Sequence, residues 1–372
     1  MVSQPVAGSR GSAPGRELAR RVHSVCSAGF PGLRPALAIA FALMYSLSAC
    51  VQASPNGSTQ PAAPRSTHGA TAPETSGAPT TSGVAVQSPH AIRISIARSP
   101  VQLPSPRSRA VALAFGSAIL VCGGLASDGT TSGSIVRIDL STGRASIAGA
   151  LADPVHDAGG ALLNGSGFIF GGGASVPVAA VQRVGPAAAA SVVGELPSSR
   201  ADLVSVVVDG ELLVVGGGTP TRDDVSVLAT TDGLTFRVVA RLLVGVRYPA
   251  VAVVSGVVYV IGGRTSVGDS AAIQAIDPRT GVVRIVGHLS HGLSHASAFV
   301  VGGVLFIAGG RTAGVAQDAV WRFDVARGTA AEIGRLPYQV SDMAAVVTGG
   351  NVYLIGGEES GPVASIITVT AQ

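Results

Sequence analysis

The feature that most constrains this chain is a glycine doublet that closes a short apolar run six times: Gly123-Gly124, Gly171-Gly172, Gly216-Gly217, Gly262-Gly263, Gly309-Gly310 and Gly356-Gly357. Successive doublets are 48, 45, 46, 47 and 47 residues apart. A period in that range marks a repeat architecture, in which one supersecondary unit cannot bury its own apolar face and stacks on its neighbours. Six residues before five of the doublets stands another glycine, Gly165, Gly210, Gly256, Gly303 or Gly350, and in the first repeat Gly116 lies one place earlier. Several are preceded by Asn164, Asp209, Ser255 or Gly302, pairs that supply the positive φ of a two-residue hairpin turn.

Each repeat therefore holds a hairpin whose second strand runs into the doublet, as at 211–215, 257–261, 304–308 and 351–355. Continuous apolar runs of this length suit strands buried on both faces. A third strand follows, as at 134–139, 272–277 and 319–324. Its closing aspartate (Asp139, Asp277, Asp324) opens a turn that reaches Gly143, Gly281 or Gly328. A fourth strand ends near Leu196-Pro197 or Leu336-Pro337. Four antiparallel strands per repeat, repeated six times, predict an all-β, six-bladed β-propeller. The last repeat stops after its third strand at 364–370, whereas 92–96, followed by Leu103-Pro104, has the form of a fourth strand without its first three. The N-terminal strand of the domain is thus expected to complete the last blade and close the ring. Pro100 suits an outer edge strand, which tolerates a residue without an amide donor.

The doublet after an apolar strand, the aromatic Trp321 in a third strand and the period of about 47 residues resemble kelch repeats, over residues 92–372. The second repeat is degenerate, with alanine-rich third and fourth strands. The His and Trp-Asp signatures of another propeller class are absent.

Upstream, five arginines lie in residues 1–34, and 35–49 form an apolar run of 15 residues, the order of an export signal and short of the ~20 residues a membrane span requires. An uncleaved signal anchor is the alternative. The run ends in Leu47, Ser48, Ala49 and Cys50, which resembles the lipobox of bacterial lipoproteins. That resemblance implies cleavage before Cys50, lipidation of its thiol and anchoring to the bacterial cell membrane by more than one acyl chain. The length ahead of the apolar run suggests a translation start further downstream, at Val22 or Val25. Residues 50–90 are rich in Ser, Thr, Pro and Ala and read as a flexible tether. The expected organisation is a signal peptide over 1–49, a tether over 50–90 and a propeller over 91–372.

Beyond Cys50, 20 arginines face 20 acids and the chain has no lysine, so clustered excess cation for nucleic acid is missing. The cysteines Cys26, Cys50 and Cys122 form neither a disulfide framework nor a metal cluster, and Cys122 reads as a small core hydrophobe.

Chemistry, if present, belongs at the mouth of the propeller channel, where the segments entering each first strand and the loops after the doublets turn polar. The entry segments bring Arg107, Arg109, His156, Asp157, Arg200, Asp202, Arg247, Tyr248, His291, His295 and Asp342; the loops bring Asp128, Arg222, Asp223, Asp224, Arg264, Arg311, Glu358 and Glu359. The candidate ligand-binding residues are Arg109, Arg200, Arg247, Arg264, His295, Arg311 and Glu358, with Arg264 and Arg311 foremost because each directly follows a doublet. Arginine suits bidentate recognition of a carboxylate or sugar acid; mutual pairing across the rim is the plainer reading of the balanced charge.

Two classes of kelch-like enzyme bear on function. Copper oxidases similar to galactose oxidase need a histidine pair, two tyrosines and a thioether-forming cysteine, a set that is incomplete here, so no metal or cofactor is expected. Sialic-acid epimerases use arginine and acidic groups, for which Arg264, Arg311 and Glu358 are candidates. The sequence reads as an extracytoplasmic, monomeric binding or scaffolding module for an envelope protein or a saccharide. A carbohydrate-active enzyme of the sugar-acid epimerase kind is the alternative.

Overall fold

The computed structural model describes residues 92–372. The signal peptide, Cys50 and the tether lie outside the described residues. Within them every regular element is a strand, and the strands form a propeller-like arrangement around a central channel.

The turn chemistry works as its sequence implies. Asn164-Gly165, Asp209-Gly210, Ser255-Gly256, Gly302-Gly303 and Gly349-Gly350 all have both residues at positive φ, between 50° and 81°, and each joins two antiparallel strands in direct register. Asp139 accepts from the amides of Ser141 and Thr142 at 2.9 and 3.0 Å, and Asp324 from those of Ala326 and Arg327 at 3.0 Å each. These contacts hold both carboxylates below their ordinary pKa range; for each, the largest cause is a side-chain hydrogen bond, from Ser141 and Arg327 respectively.

Four sheets are each built on a four-strand path. They run through Val111–Phe115 to Arg144–Ala150, through Gly159–Leu163 to Ala190–Glu195, through Ala201–Val208 to Arg237–Arg241, and from Ala344–Thr348 through Asn351–Ile355 and Ser365–Ala371 to Ile94–Gln102. A further sheet runs through eight strands, because the outer strands Val282–His288 and Thr329–Arg335 meet in parallel at His288 and Thr329. So four separate sheets on four-strand paths, one of them with a short fifth strand at Arg222–Asp223, stand where six separate blades are expected. The physical reason for the difference is that one bridge, which joins the outer edges of the fourth and fifth repeats. The strand Ile94–Gln102 pairs antiparallel with Ser365–Ala371, and its register shifts between Arg98 and Gln102, the stretch that contains Pro100.

The doublets staple neighbouring repeats together. The second glycine of each donates its amide to a carbonyl of the next repeat: Gly124 to Val155, Gly172 to Arg200, Gly217 to Val246, Gly263 to Leu293, Gly310 to Val340 and Gly357 to Arg107, all at 2.8–2.9 Å. The first glycine lies against the same carbonyl. A Cβ at Gly262 would sit 2.1 Å from the Leu293 oxygen, at a φ of +59° that also disfavours any other residue. The recurring pair is thus a close-approach and left-handed requirement met six times. Apolar side chains fill the space between sheets: Leu213, Val215 and Val227 pack against Val258 and Val260, and Phe306 and Val320 against Val352 and Leu354.

The innermost strands contact one another in sequence, from Val111–Phe115 and Gly159–Leu163 onward to Ala344–Thr348, which also touches Val111–Phe115. Between them lies a channel cavity of about 270 Å³, lined largely by Ala, Val and Gly.

Candidate functional site

Fourteen residues before each doublet stands one residue per repeat: Arg109, Asp157, Asp202, Tyr248, His295 and Asp342. All six occupy the left-handed region, with φ between 52° and 64°. Each donates its backbone amide to the carbonyl of the one before it: Asp157 to Arg109, Asp202 to Asp157, Tyr248 to Asp202, His295 to Tyr248, Asp342 to His295 and Arg109 to Asp342, at 2.8–3.1 Å. The six residues form a hydrogen-bonded ring at one mouth of the channel, and they line a cavity of about 120 Å³ that adjoins the channel cavity.

Their side chains form one network. Arg109 donates through Nε to Glu358 Oε1 at 2.8 Å and through Nη1 to Asp157 Oδ2 at 3.2 Å, and its Nε is 3.8 Å from Asp342 Oδ1. Arg311 reaches the same Glu358 from the other side, Nη2 to Oε2 at 2.9 Å, and lies 3.5 Å from Asp342. Ser108 donates to Glu358 at 2.9 Å. His295 Nδ1 is 2.6 Å from Asp342 Oδ1, while Ser341 donates to the other oxygen of Asp342 at 2.6 Å. The His295 ring stacks on Tyr248 with centroids 3.7 Å apart, and the Arg109 guanidinium lies 5.8 Å from the centroid of Tyr248. Arg247 holds Asp202 at 3.4 Å and Asp223 at 3.2 Å.

Burial decides the proton affinities. It pushes the Asp157 carboxyl up to about 8, with Arg109 opposing and the charges of Asp202 and Asp342 adding to the rise. Burial also raises Asp202, against the hydroxyl of Tyr248 and the charge of Arg247. It raises the Tyr248 hydroxyl, assisted by Asp157 and Asp202. Asp342 goes the other way: burial would raise it, but the hydrogen bond and charge of His295, with Arg109 and Ser341, outweigh burial and hold it low. Burial would likewise lower Arg109, and Asp157, Asp342 and Glu358 together hold it above its ordinary value. His156 is lowered by burial and by Arg109, so its imidazole is neutral at pH 7.

Of the candidates expected from sequence, Arg109, Arg247, His295, Arg311 and Glu358 belong to the network. Arg200 does not: only 1% exposed, it turns inward to Asp224 at 3.1 Å and to the carbonyl of Ser226 at 3.1 Å, and holds its own repeat together. Arg107 is similarly buried and donates to the carbonyls of Gly123 and Ser134. Arg264 pairs backbone to backbone with Arg247, while its side chain is exposed and makes no ion pair among the described residues. Asp157, Asp202, Tyr248 and Asp342, which lie outside that candidate set, occupy the centre. Their signal in the sequence is the fixed distance to the doublet. Cys122 is buried in a core strand, where burial pushes its thiol up to about 12 against the opposing charge of Arg107. Among the described residues no group of three or more His, Cys, Asp or Glu is placed to hold a metal ion.

No protein-family model matches the chain, and no curated protein matches it. Among solved structures, one described as the structure of YjhT superposes with a TM-score of 0.62 at 16% identity, over 73% of this chain and 98% of that one. At that identity the likeness shows the propeller fold alone.

Proposed function

We propose that the chain is a lipid-anchored extracytoplasmic binding module, carried on a tether and recognising its partner or ligand at the ringed mouth of a six-bladed, kelch-like propeller. The count of six is supported by reading the eight-stranded sheet as two four-stranded units joined at His288 and Thr329. The pairing of Ile94–Gln102 with Ser365–Ala371 supports closure of the last blade by the N-terminal strand.

The observation that carries the functional reading is the ring itself. Six non-glycine residues are held in left-handed backbone at equivalent positions, each at a cost of roughly 1–2 kcal/mol that glycine would avoid. The sharp turns need that backbone geometry, yet the positions retain Arg, Asp, Tyr and His, the residue types with which a protein recognises something. Anchoring rests on the lipobox at Cys50. Metabolic labelling with an acyl-chain analogue tests it: wild type incorporates label and fractionates with membranes, and Cys50→Ala does neither. Label retained in Cys50→Ala would refute the anchor.

Asp157 favours a second reading, an enzyme of the sugar-acid epimerase kind. A buried carboxyl raised to about 8 beside Tyr248 and the His295–Asp342 pair has the proton affinity of a general acid near neutral pH. On that reading, Asp157→Asn abolishes turnover while leaving ligand binding in place.

A further inference from the structure

The residue directly after each doublet forms a second tier around the mouth: Leu125, Gly173, Gly218, Arg264, Arg311 and Glu358. Four of the six carry a large side chain. At the second and third repeats both positions are glycine, and there a crevice of about 220 Å³ opens beside the ring, bordered by Arg109, His156, Asp157, Asp202, Arg247 and Tyr248. The two glycines differ in what they explain. A Cβ at Gly218 would meet the Arg222 carbonyl 2.1 Å away, so packing of its hairpin demands glycine. A Cβ at Gly173 would meet nothing nearer than His156 Nε2, at 3.7 Å, and Gly173 is not in the left-handed region. Neither backbone nor neighbours require glycine at 173; its effect is to leave the crevice empty.

We propose that this crevice is the specificity pocket of the mouth and that it takes an uncharged, hydroxyl-rich group in preference to an anion. The proposal rests on the reading of the mouth as the recognition surface and adds to it a location and a ligand class. Both guanidiniums that reach the crevice are already ion-paired: Arg109 to Asp342 and Glu358, and Arg247 to Asp202 and Asp223. An anion entering here meets guanidiniums whose charge is already matched by carboxylates, and it faces Asp202. An uncharged group finds polar partners that carry no full charge at pH 7. The His156 imidazole is neutral, with Nδ1 engaged by Thr131 at 2.9 Å, and the Asp157 carboxyl is raised to about 8 and so mostly protonated. Val176, Pro177 and Pro220 add an apolar border suited to the C–H face of a polyol ring.

The test is titration of the purified chain, followed by ligand-observed NMR, with uncharged hexoses (glucose, galactose, mannose) and the isosteric acids glucuronate and galacturonate. The expected result is that one uncharged hexose binds about ten-fold more tightly than its acid. Gly173→Phe, and Gly173→Gln as a smaller alternative should the first not fold, weaken it about ten-fold, whereas Gly173→Ala leaves it within roughly a factor of two. An acid that binds as tightly as the hexose, hexose binding that survives Gly173→Phe, or no binding by any of the five sugars overturns the inference. Arg311→Ala, on the other side of the mouth, separates the two levels. Loss of binding in Arg311→Ala with none in Gly173→Phe rejects the crevice and leaves recognition at the mouth standing; binding indifferent to both rejects the mouth as its site.

Discussion

Asp157 shows how a single position joins fold to chemistry. Its backbone belongs to the hydrogen-bonded ring, and its carboxyl is buried between Arg109 and two further carboxylates. The ordinary carboxyl value is 3.8 and the folded value about 8. Between these limits the folded chain keeps a proton that the unfolded chain has released, so stability falls as pH rises through the window and the loss is complete above about 8. Asp157→Asn cannot ionise. Its stability relative to wild type is therefore expected to climb from pH 4 to pH 8 and then level off, as read by urea unfolding across that range. A difference independent of pH would show that Asp157 ionises normally in the folded chain. The residue itself is legible in the sequence, fourteen places before a doublet. Its environment is not: the Glu358 that draws Arg109 across the mouth lies 249 residues away in the chain, and no local pattern reports such a contact. Arg200 illustrates the reverse. By residue type it suits an anion site, and only burial reveals that it holds its own repeat together.

At the scale of the element, the doublets, hairpin turns and aspartate turns were all legible, because each is a local demand on φ or on a nearby hydrogen bond. The sheet count was less so. One parallel bridge between His288 and Thr329 merges two sheets, and nothing in either strand's pattern announces it. The strand Ile94–Gln102 carries the sharpest expectation. It covers the edge of Ser365–Ala371, and residues beyond it, including Leu103, pack in the core with Ile366 and Ile355. Removing residues 51–104 should lower the unfolding free energy by roughly 3 kcal/mol or more, in keeping with loss of several buried side chains and a full ladder of hydrogen bonds. Removing 51–90 should change it by less than about 0.5 kcal/mol. Equal stabilities by denaturant melt would contradict the role given to this strand.

For the whole molecule, formal neutrality beyond Cys50 proves to be organised rather than incidental. The mouth arginines Arg109, Arg247 and Arg311 are met by carboxylates from other repeats, so most of the cationic charge at the mouth is already matched, and Arg264 keeps an exposed side chain without an ion pair among the described residues. What stays open is the crevice at Gly173 and a crown of hairpins that exposes Val176, Val267 and Val315. This face is where recognition is proposed to occur. That proposal is tested most directly by placing a photo-crosslinking amino acid at Val267 or Val315 on the crown, or at Ile147 or Ile285 on the outer strands, and irradiating intact cells that express the full chain. Discrete adducts are expected from the two crown positions and none from the two outer ones. Adducts confined to Ile147 and Ile285 would contradict it.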